Sequence, residues 1–419
     1  MTAENDSTGG ESGATTGEYD DLIPVDAAVE AVQSLRGRFL ETRDTEAVSL
    51  GSIGGRVLAE SVVADVDQPA ADIATMDGFA FDATDEYPLE VRTTDVFPED
   101  EPPALAAGQA IPIATGGALP AGANAVLKQE EATVDEGRLT GSDIAPGTYV
   151  YRRASNVASG ETLFEAGERL SPKDAILLGD LGYETVAVRS RLSTAVLATG
   201  TEIHEGVHRD LDSAMLAGLV RSWGHEATYA GSVPDDYETV RSTLASLAAD
   251  HDVVLSTGGT SVGKKDYVVA ALEELGEVLF HRVRLRPGKP IAVADLPEFD
   301  AVAIAIPGKP IGAHAVTTLV ARPFFTGESA LPTLPAVLTH AVDLPVSGFE
   351  YAIPVTLADG TATPLGQTDS ALSVYERTFD PSVLSSSTRA SRADGFVLTD
   401  SDLPAEEAVD VVPYSAVER

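Results

Sequence analysis

The 419-residue chain has no cysteine, which excludes disulfides, Cys-ligated zinc, iron–sulfur clusters and thiol nucleophiles. It has no uninterrupted apolar run of the roughly 18 residues that a membrane-spanning helix needs, and its first residues are polar and acidic where a signal peptide would place cations and an apolar stretch. A cytoplasmic location is expected. Its 37 glycines and 25 prolines are scattered without a period, which excludes collagen and low complexity as descriptions of the whole. It is also poor in positive charge, with 66 Asp and Glu against 28 Lys and Arg for a net charge of −38. Such a field repels nucleic acid and anionic lipid, so neither is expected as a partner.

Lysine is scarcer still, at six against 22 arginines. Excess carboxylate with little lysine suits a cytosol of very high salt and marks the chain as halophilic. The lysines that remain are therefore informative. Lys264, Lys265, Lys289 and Lys309 lie on glycine loops within 46 residues, with Arg282, Arg284 and Arg286 between them. Local positive charge beside exposed backbone N–H groups describes an anion site. Solvated loop cations are the plainer alternative.

An apolar share of 43% supports folded cores, and the length calls for two to four domains. Residues 1–21 have almost no apolar content and predict a disordered acidic tail. Val25, Ala28, Val29, Val32, Leu35 and Phe39 recur at helical spacing after Pro24. From 62 to 144 the texture turns to short β-rich runs, such as Ile111–Ala114 and Ala125–Lys128. The flanking segments 22–61 and 145–190, with a helix predicted over Pro172–Gly182, read as one discontinuous linker domain. Between 191 and 327 apolar strands alternate with amphipathic helices. They are Leu192–Ala198, Asp212–Trp223, Ala227–Ala230, Tyr237–Ala249, Asp252–Ser256, Tyr267–Leu275, Val278–Val283 and Ala301–Ile306. That alternation predicts right-handed βαβ crossovers and a largely parallel sheet, with ligands at the carboxyl ends of the strands. Residues 328–419 read as a C-terminal β domain with turns at Asp359-Gly360 and Asp394-Gly395. The fold class expected is thus multidomain α/β plus β.

His204-Glu-Gly-Val-His208 fits the zinc-peptidase pattern, which requires both histidines on one helical face. Gly206 and the following Arg209-Asp-Leu-Asp predict a loop instead. Ser256-Thr-Gly-Gly-Thr-Ser-Val-Gly-Lys-Lys-Asp266 brings three glycines, two cations and a carboxylate to one point, without the spacing of a Walker A loop. Asp77-Gly78, taken alone, is an ordinary turn.

Together, however, Ala74-Thr-Met-Asp-Gly-Phe-Ala80, Ile113-Ala-Thr-Gly-Gly-Ala-Leu-Pro120, Gly122-Ala-Asn-Ala-Val126, Thr199-Gly-Thr-Glu202, the glycine loop, Arg286-Pro-Gly-Lys-Pro290 and Pro307-Gly-Lys-Pro310 form an ordered series. It resembles the molybdopterin molybdenumtransferase family, known as MoeA and as the E domain of gephyrin. The resemblance runs from about residue 22 to the C-terminus and is loose over the last 90 residues. It implies a helical linker domain, an inserted β domain, a molybdopterin-binding α/β domain and a C-terminal β domain in an elongated homodimer. It also implies a reaction in which adenylylated molybdopterin receives metal from molybdate or tungstate with release of AMP, assisted by Mg²⁺. The molybdopterin adenylyltransferase is a candidate partner. Carried over by motif, Asp77, Glu202 and Asp266 are the functional acids, and Arg286, Lys289 and Pro290 belong to the oxyanion site. Thr115, Gly258, Gly259 and Ser261 match ligand loops. The residues' own chemistry adds Lys264 and Lys309 as anion-binding cations, and Asp235 and Asp236 beside Asp77, Glu202 and Asp266 as Mg²⁺-holding carboxylates.

Several motifs depart from the family. Arg152-Arg-Ala-Ser-Asn-Val157 replaces arginines followed by Gly-Glu-Asp, Thr199-Gly-Thr-Glu202 replaces Thr-Gly-Asp-Glu, and Asp212-Ser-Ala214 replaces Asp-Ser-Asn. Lys264 and Lys309 stand where the family has Glu and Asn. A non-catalytic pterin-binding or scaffold paralogue is the alternative these losses raise.

The charge generates one prediction. At about 1 M salt the Debye length is ~3 Å and neighbouring carboxylates hardly repel, whereas at about 0.1 M it grows to ~10 Å. The melting temperature should fall steeply as KCl is lowered between these limits, and a salt-independent melt would contradict halophilic adaptation.

Overall fold

The computed structural model describes residues 22–259, 267–367 and 370–419. The tail over 1–21 lies outside the described residues, as do Ser261, Lys264 and Asp266 of the glycine loop. No helix among the described residues is long and apolar enough to cross a membrane. The fold is multidomain, of α/β plus β class, and divides into two compact units. One holds the residues up to Arg56, the stretch Arg169–Pro172, and Val188–Arg419; the other holds Val57–Glu168 and Lys173–Ala187.

The first unit opens with the helix Val25–Glu41, whose Val25, Ala28, Val32, Leu35 and Phe39 are buried as their spacing predicts. Asp26 in its first turn and Arg38 in its last complement the helix dipole. This face packs against Leu319, Val320, Phe324 and Phe325.

At the centre is a six-stranded sheet in the order Glu226–Val233, Ser193–Thr199, Val253–Thr257, Ala301–Ile306, Ala292–Leu296 and Glu277–His281. The first four strands are mutually parallel. Ala292–Leu296 runs antiparallel to both its neighbours. That strand has no counterpart in the sequence reading, because a short apolar run directly after Pro290 carries no helix crossover to announce it.

Alternate residues of the buried strands face opposite layers, as period-2 geometry requires. Val196, Leu255, Ile304 and Ile306 face the helix Val25–Glu41 side, while Leu197, Val254, Ala303 and Ala305 face the helices Tyr237–Asp250 and Tyr267–Leu275. Both faces are covered, which explains the almost continuous apolar runs.

The C-terminal strands close into a barrel. Glu350–Ala358 pairs with Thr361–Pro364, which pairs with Leu334–Leu338, then Ala408–Pro413, then Gly395–Thr399, which returns to Glu350–Ala358. Ala336, Leu338, Val355, Ala362, Val397 and Val411 fill one core there. Asp359-Gly360 is the expected turn, with positive φ at both residues. Asp394-Gly395 is not a hairpin turn, since Gly395 begins a strand and Asp394 accepts from the Leu357 N–H at 2.7 Å.

The second unit holds a six-stranded sheet in the order Ala125–Lys128, Gly78–Phe81, Gln109–Ile113, Leu89–Val91, Arg138–Gly141 and Ala132–Asp135. The linker segment within this unit is less helical than expected, with a single seven-residue helix, Asp174–Asp180, among its described elements. Gly78 pairs with Ile113 on one side and Lys128 on the other.

A Cβ on Gly78 would lie 2.0 Å from the Leu127 carbonyl oxygen. Gly78→Ala should therefore lower the urea midpoint, with a loss of roughly 1–3 kcal/mol or more. By contrast, a Cβ on Gly218 in the helix Ser213–Ser222 meets nothing within 4 Å. Gly218→Ala should gain about 0.5–1 kcal/mol from helix propensity in the same denaturation experiment.

Candidate functional site

The chain crosses from one side of the Ser193–Thr199 strand to the other in passing through Glu226–Val233 to Val253–Thr257. A crevice forms at the carboxyl ends of such strands at this reversal. Here the loops after Thr199, Val233, Thr257 and Ile306 meet. A Cβ on Gly258, whose φ is +90°, would sit 2.6 Å from the Thr199 carbonyl oxygen, and one on Gly308 would sit 3.3 Å from the Gly258 Cα. Glycine is required at 258 by both its positive φ and that close approach, and at 308 a side chain would press on the Gly258 backbone.

Two cavities open on either side of this wall and share Gly258, Gly259 and Gly308. The first, of about 280 Å³, is acidic and is lined by Glu202, Asp210, Asp212 and Asp235, with Arg209 as its cation. The second, of about 460 Å³, is lined by Arg286, Lys289, Pro290 and Lys309, with Pro381, Ser382 and Ser385 opposite. The expected substrate-binding residues Gly258, Gly259, Arg286, Lys289, Pro290 and Lys309 are thus brought together.

Several local devices place these groups. Leu285–Arg286 adds in parallel to the barrel strand at Glu350–Tyr351, and the Arg286 guanidinium stacks over Phe349 at 4.1 Å from its centroid. Lys309 donates to the Ser382 carbonyl at 3.3 Å. Asp235 accepts from the Thr201 N–H at 3.2 Å, and its own N–H donates to Thr201 Oγ1 at 3.0 Å. Asp236, expected beside it as a metal ligand, caps the helix Tyr237–Asp250. Its carboxylate accepts from the Thr239 hydroxyl at 2.6 Å and N–H at 2.9 Å, which hold its pKa below the usual range.

Asp77 and Thr115 belong to the second unit and are brought together by register. Because Gly78 pairs with Ile113, Asp77 Oδ1 accepts from the Thr115 N–H at 2.7 Å and its hydroxyl at 2.8 Å. These bonds, the N–H first, keep the exposed carboxylate ionised below its ordinary range. Lys128, opposite Gly78, lies over the Tyr149 ring at 4.4 Å. As one of six lysines in the chain, it carried the same scarcity signal as the loop lysines.

The histidine pair does not form a zinc helix. Thr201–His204 is one short helical turn, Gly206 has a φ of +73°, and His204 Nδ1 lies 2.7 Å from the Ser232 carbonyl oxygen. Among the described residues no group of three or more His, Asp or Glu forms a metal cluster.

Asp212, which the sequence reading left without a role, lines the acidic cavity. It is only 5% exposed. Its Oδ2 accepts from Thr257 Oγ1 at 3.0 Å, while Oδ1 is buried with no partner among the described residues. Burial first, then the neighbouring Asp210, pushes its pKa up to about 6 against the bond from Thr257. A buried carboxyl with one unsatisfied oxygen, beside a cavity, is built to meet a donor or a cation brought by a ligand.

The sign of its pH effect follows. Between about pH 4 and 6 the folded form holds the Asp212 proton that the unfolded form has lost, so the contribution of Asp212 to stability falls as pH rises through that window and is flat above it. Asp212→Asn should remove the decline. Its stability relative to the parent should rise by on the order of 2–3 kcal/mol between pH 4 and 7.5 in chemical denaturation. Parallel pH profiles would show the carboxyl to be unperturbed.

The sequence matches two family models: the MoeA N-terminal region (domain I and II) over residues 23–182, and the probable molybdopterin binding domain over residues 195–327. The molybdopterin molybdenumtransferase of Synechococcus elongatus is 32% identical over 300 residues, covering 67% of this chain and 73% of that protein. That of Bacillus subtilis is 30% identical over 325 residues, covering 72% and 74%. Two solved structures of the molybdopterin biosynthesis MoeA protein from Pyrococcus horikoshii superpose on 94% of this chain and on 99% and 100% of theirs. Their TM-scores are 0.70 and 0.71, at 28% and 24% identity. With its glycine-walled double cavity at the carboxyl edge of the sheet, the chain belongs to the molybdopterin molybdenumtransferase family.

Proposed function

We propose that the protein inserts metal into molybdopterin during molybdenum cofactor biosynthesis, taking molybdate or tungstate as the source and adenylylated molybdopterin as the acceptor. The observation that carries this reading is the pair of oppositely charged cavities joined at the Gly258–Gly308 wall. An oxyanion and a pterin phosphate both require cations and N–H donors, which the Arg286, Lys289 and Lys309 side supplies. Cleaving a phosphoanhydride calls for carboxylates that hold Mg²⁺ and orient water, which the Glu202 and Asp235 side supplies.

The donors on the acidic side are all oxygens, which suits Mg²⁺. Mg²⁺ commonly keeps several waters and binds through one or two carboxylates plus substrate phosphates, so the absence of a preformed cluster among the described residues is compatible with it. Glu202 and Asp235 would hold it, with Asp266 assigned to the same role from its motif. When bound, Mg²⁺ would neutralise charge on the phosphate oxygens. In the proposed step the acidic side orients water onto the pterin-side phosphorus; the water oxygen joins that phosphate, its bond to the bridging oxygen breaks, AMP leaves with the bridging oxygen, and the protons of the water pass to the solvent. Asp77 and Thr115 enter the proposal as a pair presented by one subunit of a homodimer to the other. Delivery of the pterin by the adenylyltransferase, in the cytoplasm, completes it.

Purified protein in high salt should release AMP from adenylylated molybdopterin only when Mg²⁺ and molybdate or tungstate are present. Arg286→Ala and Lys289→Ala should each raise the oxyanion concentration needed by more than tenfold, in line with about 1.5–3 kcal/mol per charge-assisted contact, while pterin affinity changes little. Glu202→Ala should lose turnover with pterin binding retained. Tight pterin binding without AMP release under any of these conditions would establish a binding scaffold instead.

A further inference from the structure

Away from both cavities, the first unit of this acidic chain holds a buried patch of opposite sign. Arg169 and Arg322 converge on one carboxylate, with Arg169 Nη1 at 3.6 Å and Arg322 Nη1 at 3.9 Å from Glu328. Glu328 is 57% exposed, whereas Arg322 is 2% and Arg169 19% exposed. The third cation is Arg36, from the helix Val25–Glu41. Its guanidinium lies against Gly327, where an added Cβ would be 3.0 Å from Cζ.

The donors are unevenly satisfied. Arg322 donates to the Thr318 and Ala330 carbonyls at 3.2 and 3.0 Å, and Arg169 Nη2 to the Trp223 carbonyl at 3.2 Å. Arg36 Nε and Nη2 and Arg169 Nε are buried with no acceptor among the described residues. The adjacent His225 cannot help. Its Nδ1 accepts from the Leu192 N–H at 3.1 Å and its Nε2 meets the Phe325 carbonyl at 2.9 Å, so both ring nitrogens are occupied. Burial and the nearby Arg36, Arg169 and Arg191 push its pKa down to about 4, which keeps it neutral and reports a positive local potential. Arg36 is likewise lowered, by burial first and then by Arg169. Two positive charges thus remain uncompensated, and three N–H donors point at no acceptor. Water would satisfy the donors but not the charge.

We propose that Arg36, Arg169 and Arg322 form a structural binding site for a small monovalent inorganic anion of the size of chloride, held chiefly by the unpartnered N–H groups of Arg36 and Arg169. The ion ties the first helix to the Arg169 segment and the turn at Gly327. An ion that binds the folded chain and not the unfolded one stabilises it by mass action, with saturation as the site fills.

The test is thermal melting in potassium chloride against potassium gluconate at equal potassium concentration, where screening is the same and only the anion differs. The wild type should melt several degrees higher in chloride, with a saturating dependence, and bromide should substitute for chloride. Arg36→Gln should abolish the difference and should melt no lower than wild type in gluconate, because it relieves repulsion between guanidinium groups. Arg38→Gln, on the same helix but exposed, should keep the difference. In bromide-soaked crystals of the wild type an anomalous peak should lie between Arg36 and Arg169, a readout that stands even if Arg36→Gln fails to fold. Equal melting of the wild type in both salts, an undiminished chloride effect in Arg36→Gln, or bromide-soaked crystals with no peak at the cluster would each overturn the site.

Discussion

The architecture of the site depends on how closely three backbones approach at the carboxyl edge of the parallel strands. A Cβ on Gly258 would fall 2.6 Å from the Thr199 carbonyl oxygen, and one on Gly308 would press on the Gly258 Cα at 3.3 Å. The acidic and the cationic cavity share Gly258, Gly259 and Gly308 as a thin common wall. The parallel pairing of Ser193–Thr199, Val253–Thr257 and Ala301–Ile306 sets that approach. Its register is held in turn by the alternation of residues buried on both faces.

Charge is distributed against the trend of the composition. A chain of net charge −38 places Arg286, Lys289 and Lys309 around one cavity and gathers Arg169 and Arg322 at Glu328 with Arg36 beside Gly327. Cations so concentrated contribute little to solubility; they create local positive potential where an anion would be bound. The converse case is Asp212, a buried carboxyl whose environment resists its ionisation. Asp212 and the arginine cluster each hold buried polar atoms with no partner among the described residues, an arrangement that a ligand would relieve.

Much of the fold was legible because its signals are local. The helices Val25–Glu41, Tyr237–Asp250 and Tyr267–Leu275 and the strand Ala301–Ile306 follow from apolar periodicity alone. The strand Ala292–Leu296 was not legible, because antiparallel insertion leaves no crossover in the sequence. The same holds for the role of Asp236, which as an N-cap differs from its neighbour Asp235 only in the direction its carboxylate takes. Asp212 escaped because the unmet valence of Oδ1 is a property of packing, and Pro381, Ser382 and Ser385 because they reach the cationic cavity from some 70 residues beyond Lys309.

The sequence by itself determined the fold class, the glycine loops at the strand ends, the concentration of lysine there, and the ordered motifs that tie the chain to its family. These depend on composition and on spacings of a few residues, where backbone sterics and periodicity act directly. The tertiary structure alone decided which acids share a cavity, that Thr115 holds Asp77 in its ionised form, that Arg286 pairs alongside the barrel strand, and that Asp212 Oδ1, Arg36 Nε and Nη2 and Arg169 Nε have no partner among the described residues. Those properties depend on desolvation and on pairings between residues far apart in the chain, and both come into existence only when the strands are in register and the core has closed.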